Sequence, residues 1–178
     1  MSRTDNSDGR LTLVTGVLLV GGASTRFGSP KALARLGDET LAERGWRVLG
    51  EACDDVIAVG KAADALPLPF PLVDDGTSER VPIHGVIAGL RAARHEIAVF
   101  LPVDCPFVTP ALLRQLGEAA AVPQTGPLPG AYEKEMLPGL ETRIARGELS
   151  LRGVNQTVLQ VDACLLRDVD VPADLAHM

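Results

Sequence analysis

Apolar residues in this chain come in short unbroken runs separated by amphipathic stretches. Residues 17–20, Val-Leu-Leu-Val, form a continuous β-branched and leucine run that stops at Gly21 and Gly22, the pattern of a strand buried on both faces. Residues 40–51 set Leu41, Trp46, Val48 and Leu49 among charged side chains and reach Gly50, which predicts a helix with Trp46 on its apolar face. Val-Ile-Ala-Val-Gly at 56–60 predicts a second buried strand and completes a strand, helix, strand unit. A short strand ends at Val73, a polar loop follows, and a helix is expected from residue 85 to about 94. Residues 97–104 are the most strand-like stretch and end in Asp104, Cys105 and Pro106. Thr109 and Pro110 suit the N-cap and first position of a helix reaching about residue 120. A further helix is expected over 133–146, kinked or split by Pro138, and a last strand over 158–165. Strands alternating with helices predict an open, doubly wound, mostly parallel α/β sheet whose ligands bind outside the carboxyl ends of the strands.

Composition narrows this picture. At 178 residues the chain fits one domain. Residues 1–10, polar and rich in Ser, Asp, Asn and Gly, are expected to be a loose tail, with the domain running from 11 to 178. The 23 acidic residues outnumber 17 Lys plus Arg, and neither a like-charge cluster nor interleaved aromatics mark a nucleic-acid surface. No apolar run approaches the roughly 20 residues of a membrane span. The polar, partly acidic start is unlike an export signal, so the expected location is cytoplasmic. Cys53, Cys105 and Cys164 lack the paired spacing of a zinc site and read as small buried hydrophobes. His84, His95 and His177 have no Ser or Cys set beside them as nucleophile, so covalent catalysis is not indicated.

The candidate chemistry begins after the first strand. Gly21, Gly22 and Gly28 let the backbone turn and bring N–H groups against an anion, while Ser24, Arg26 and Lys31 add donors and charge. Lys31 follows Pro30, unlike the lysine of a Walker loop, and the glycine spacing differs from the dinucleotide fingerprint. The competing reading is a glycine-rich turn with a solvated arginine and lysine. Asp104, at the expected carboxyl end of a buried strand, would face the ligand crevice. An acid opposite a phosphate-binding loop suggests Mg²⁺ between them, since that ion keeps waters and phosphate oxygens beside one or two carboxylates. The alternative is an Asp capping the turn before Pro106. Asp168 and Asp170 stand on alternate positions of an extended segment and either complete a metal site or are ordinary surface acids. Asp74, Asp75 and Gly76 form an acidic turn; a carboxylate there suits the N1–H and amino donors of guanine, and a plain Asp-Gly turn explains it nearly as well.

VLLVGGASTRFGSPKAL at 17–33, with VFLPVDCPF at 99–107 downstream, resembles the molybdenum cofactor guanylyltransferases of the nucleotidyltransferase superfamily. The resemblance runs in order from Gly16 to about Leu175 and includes PIHGVIAGL, PLPGAY and the terminal DVDVPADL. It implies a Rossmann-like, three-layer fold akin to the nucleotide-diphospho-sugar transferases, and Mg²⁺-dependent transfer of GMP from GTP to molybdenum-bearing molybdopterin with release of pyrophosphate. By the same resemblance Leu19, Val20 and Gly21 would approach the nucleotide through the backbone, Arg26 and Lys31 would hold its phosphates, Asp75 would help bind guanosine, and Asp104 would hold Mg²⁺; read from the residues themselves, Gly22 and Ser24 are further nucleotide contacts and Asp168 and Asp170 further metal ligands. Molybdoenzyme maturation proteins are further expected partners.

The chain departs from the family pattern at several points. It carries Val-Gly-Gly where Ala-Gly-Gly is usual, and Asp168 and Asp170 where the usual terminal motif is Asn-x-Asn-Thr-Pro. Residues 116–128 are short, and PLPGAY lacks the usual preceding His or Gln. Other acceptors or nucleotides, such as CTP or a sugar phosphate, are neighbouring readings; a non-catalytic GTP-binding module is one from another class.

Overall fold

The strand β1 (Val14–Leu19) is buried along its entire length, as a run of this kind must be when both faces are covered. It is the centre of a five-stranded sheet in the order β5-β4-β1-β6-β8. In the computed structural model, which describes residues 12–21 and 30–169, β4 (Asp55–Gly60), β5 (Leu72–Asp74) and β6 (Ile97–Pro102) join β1 through parallel pairings, while β8 (Gly130–Glu133) pairs antiparallel to β6. The predicted mostly parallel, doubly wound sheet is therefore present.

Alternation along the strands feeds two cores. Leu18, Val99 and Leu101 pack with α1 (Leu41–Ala52) and α3 (Pro110–Ala119) on one face. Val17, Leu19 and Phe100 pack with α2 (Pro82–Ala92) and α4 (Leu137–Ala145) on the other. Each element starts where its local chemistry directs. Thr40 caps α1 in a reciprocal box, its backbone N–H donating to Glu43 at 2.7 Å while its hydroxyl accepts from the Glu43 N–H. Thr109 caps α3 with Pro110 in the first turn, as the sequence predicts. Trp46 leaves α1 to stack on Phe70, with ring centroids 4.1 Å apart. Two small pairings complete the secondary structure: β2 (Arg35–Leu36) with β3 (Glu39–Thr40), and β7 (Val122–Pro123) with β9 (Val158–Leu159).

Four expectations are corrected. Helix α2 starts at Pro82, three residues earlier than predicted, and ends at Ala92. The helix expected over 133–146 is α4 alone, preceded by a 3-10 turn at Lys134–Met136. Pro138 lies in its first turn, where no N–H is needed, and so begins the helix instead of kinking it. The last predicted strand is only β9; Asp162 then accepts from the Cys164 N–H and opens a 3-10 turn at Ala163–Leu166. Of the cysteines only Cys105 is buried; Cys53 is half-buried and Cys164 exposed. Among the described residues no helix is long and apolar enough to cross a membrane.

Candidate functional site

From β1 the chain moves outward to β4 and β5, then crosses back to β6 on the other side of β1. This reversal places a crevice at the carboxyl ends of the parallel strands. A cleft of about 490 Å³ lies there. Seven sequence-predicted residues border it: Leu19, Val20 and Gly21 after β1, Lys31, Asp75 after β5, Asp104 after β6, and Asp168. Gly22, Ser24, Arg26, Gly28 and Asp170 lie outside the described residues.

Three strand ends shape the floor. The Val20 N–H donates to the Val59 carbonyl and the Val103 N–H to the Leu19 carbonyl, both at 3.0 Å, so the strand register continues into the cleft. Lys31 opens a 3-10 turn, Lys31–Leu33, whose Ala32 is anchored in the core. The Lys31 ammonium thereby comes within 3.5 Å of the Asp104 carboxylate, with the two side chains 14% and 33% exposed. Arg44 of α1 fixes the turn after Asp104 by donating to the Pro106 carbonyl at 2.7 Å.

The terminal segment completes this side of the cleft. Val169 is fully buried and its N–H donates to the Asp104 carbonyl at 2.8 Å, while the Arg167 guanidinium lies 4.5 Å over the Phe107 ring. Asp168 is carried to the same place between them. Cys105 reports the combined field: burial first, then the Asp104 and Asp168 charges, push its thiol well above the ordinary range. This is an unreactive thiol, whose Sγ lies 3.7 Å from an Asp104 oxygen. Among the described residues no three His, Cys, Asp or Glu side chains converge as a ready-made cage. Two hard oxygen donors in a shared negative field nevertheless suit a divalent ion that draws its other ligands from water and phosphate.

The opposite wall differs from the sequence expectation. Asp75 borders the cleft, but both of its oxygens lie 2.7 Å from the Lys61 ammonium, and one also accepts the Thr77 N–H at 3.2 Å. Its carboxylate is thus already engaged. The turn itself is as read, with Gly76 in the left-handed region at φ 74°. Lys61 went unrecognised in the sequence, although a lysine directly after the 56–60 strand stands at the ligand-binding edge. Glu79, Arg80 and the start of α2 extend this wall. His84 lies beside Glu79, with Nε2 and the carboxylate 2.7 Å apart, and has no nucleophile to activate.

Comparison with known proteins agrees with this arrangement. The family model of the MobA-like NTP transferase domain matches residues 16–166. A molybdenum cofactor guanylyltransferase of Pseudomonas putida is 34% identical over 150 residues, covering 76% of this chain and 78% of that protein. Among solved structures, molybdopterin-guanine dinucleotide biosynthesis protein A from Archaeoglobus fulgidus shares the fold at a TM-score of 0.76 and 24% identity, covering 92% of this chain and 95% of that one. Rv0371C from Mycobacterium tuberculosis H37Rv, solved in complex with manganese, gives a TM-score of 0.62 at 26% identity, covering 93% and 97% of the two chains. By the match of the family model over residues 16–166 and the likeness to the Pseudomonas putida relative, the chain belongs to the MobA-like NTP transferase family and is a nucleotidyltransferase.

Proposed function

We propose that this protein transfers GMP from GTP to molybdenum-bearing molybdopterin, forming the guanine dinucleotide and releasing pyrophosphate, as a single domain from residue 11 onward acting in the cytoplasm. The observation that carries the reading is the convergence of Leu19, Val20, Gly21, Lys31, Asp104 and Asp168 on one cleft at the carboxyl edge of the sheet. The name of the Pseudomonas putida relative supports the choice of guanylyl transfer.

In this reading the glycine loop approaches the phosphates through its backbone, with Gly22, Ser24 and Arg26 continuing the contact that Gly21 begins. Lys31 neutralises charge on the triphosphate and on the departing pyrophosphate. Asp104 would hold Mg²⁺, with Asp168 and Asp170 as further ligands, and the ion would supply charge neutralisation at the phosphates. The terminal phosphate oxygen of molybdopterin attacks the α-phosphorus in line. A new phosphoanhydride bond forms as the bond to the pyrophosphate oxygen breaks. No protein nucleophile takes part, so the protein contributes alignment and electrostatics. Asp75 lies on the guanosine side. The acceptor enters past Thr125, Leu128 and Leu166, which border the same cleft. Molybdoenzyme maturation proteins would receive the product.

Pyrophosphate release measured with Mg²⁺, molybdenum-bearing molybdopterin and each of GTP, CTP, ATP and UTP tests this directly. Release with GTP alone is expected. Preference for CTP would make the chain a cytidylyl enzyme, and nucleotide binding without release would make it a binding module.

A further inference from the structure

Lys61 is the one charged residue among those described that is buried, at 6% exposure. Its ammonium reaches both Asp75 oxygens at 2.7 Å, the Thr77 carbonyl at 2.6 Å and the Glu79 carbonyl at 2.5 Å. An ammonium has three protons, and four acceptors share them. No donor remains for a substrate, so Lys61 does not act by touching one. What it does is tie three points of residues 75–79 to the end of β4. The same strap is stitched by the Ala62 N–H to Asp74 at 3.1 Å, by the Asp75 N–H to the Gly60 carbonyl at 3.0 Å, and by Arg80 to Asp64. Lys61, buried against the segment, makes its three ties at once.

Charge distinguishes the two ends of the cleft. Lys31, Asp104 and Asp168 form a polar end where phosphates and a metal belong. The Lys61 and Asp75 side chains, 7% and 8% exposed, cancel each other. On the same wall Arg80 is held by Asp64 and Glu79 lies beside His84, so this side suits an uncharged heterocycle better than a phosphate, recognised by oriented backbone groups and by whichever Asp75 lone pairs Lys61 leaves open. Removing the ammonium would leave a buried carboxylate and two carbonyls unsatisfied, and the wall would have to rearrange.

We propose that Lys61 is a positioning residue for nucleobase discrimination: by clamping Asp75 and the carbonyls of Thr77 and Glu79, it sets the wall against which the base is read. This rests on the nucleotidyl-transfer reading above.

The test measures binding of GTP, ATP and inorganic tripolyphosphate, each with Mg²⁺, to the wild type, Lys61→Met and the double variant Lys61→Met/Asp75→Asn. The double variant removes both charges of the pair and gives a folded comparison if the single variant fails to fold; Asp75→Asn alone, measured beside it, separates loss of the carboxylate from loss of the clamp. GTP affinity is expected to fall about tenfold or more, with a narrowed GTP to ATP ratio. Tripolyphosphate, which reports the distant phosphate end alone, should stay within roughly twofold. A folded variant that binds GTP as the wild type does overturns the proposal, and so does equal weakening of GTP and tripolyphosphate, which would make Lys61 a general support of the fold. A wild type that binds no GTP overturns the guanylyl reading itself, and this proposal with it.

Discussion

Replacing Lys31 separates stability from turnover. In the free protein its ammonium faces Asp104 at 3.5 Å, and the side chains are 14% and 33% exposed. Coulomb attraction at that distance is about 5 kcal/mol for an effective dielectric constant of 20. Desolvation and side-chain ordering offset most of it, and partly exposed pairs contribute about 0–1 kcal/mol net. Lys31→Met should therefore lower Tm by only about 2–4 °C in a chain of this size. The catalytic effect is expected to be much larger, because the same ammonium would then be missing beside the charge that develops on the triphosphate. Loss of one preorganised donor at developing charge costs about 10²- to 10³-fold in turnover. Thermal melting and steady-state pyrophosphate release, measured on the same preparation, check both halves. Activity within about threefold of wild type would refute the phosphate role. A melting drop well beyond that range, with activity falling in parallel, would make Lys31 a structural residue instead.

Asp104→Asn should raise the Mg²⁺ concentration needed for half-maximal activity by about tenfold or more while leaving the melting curve in place, because it removes a metal ligand from a partly exposed site. Gly89→Ala should destabilise: its new Cβ would lie 2.5 Å from the Phe100 ring and 2.9 Å from Val17, both fully buried. Overpacking of about 1–3 kcal/mol outweighs the roughly 1 kcal/mol gained in helix propensity. Gly50→Ala, where nothing lies within 4 Å, should show the gain alone in the same denaturation assay. Arg80 holds the Asp64 carboxyl below its ordinary range, chiefly by hydrogen bonding. A depressed carboxyl stabilises the fold above its unfolded pKa of about 4 and loses that contribution as pH falls through the folded value. Arg80→Ala should accordingly lower Tm at pH 7 and make progressively less difference below about pH 4.

The parts of the fold legible in the sequence were those whose signal is local. The β-branched run ending at Gly21, the strand ending just before Asp104, and the Thr109-Pro110 start of α3 each carry their instruction within a few residues. The catalytic edge could be read from them because a parallel sheet places its ligands at the strand ends. What was missed depends on partners far along the chain. β8 is four residues, Gly-Ala-Tyr-Glu, without a strand-like period; pairing with the edge of β6 makes it a strand. Lys61 and Asp75 are 14 residues apart; Asp75 was legible as a candidate, but its lysine partner was not, because the parallel pairing of β4 with β5 is what brings them together. The strand expected over 158–165 fails for a local reason instead: the Asp162 side chain accepts the Cys164 N–H and draws the chain into a turn.

The acidic terminal segment bears on how this cleft accepts a polyanion. Val169, fully buried and bonded to the Asp104 carbonyl, secures the segment, so Asp168 is held beside Asp104 rather than in a free tail. The raised Cys105 thiol shows that both charges are felt at one point. Two carboxylates there oppose a triphosphate, and Lys31 already faces one of them at 3.5 Å. With a divalent cation bound, Asp104 and Asp168 would act as an anchor for the substrate's phosphates instead of a barrier to them. If the proposed metal site holds, Asp168 in place of an asparagine would couple metal and nucleotide binding: the acid pair would favour the ion, and without the ion it would disfavour the triphosphate. On the opposite wall Lys61 and Asp75 cancel each other, so that pair adds no net charge to the balance.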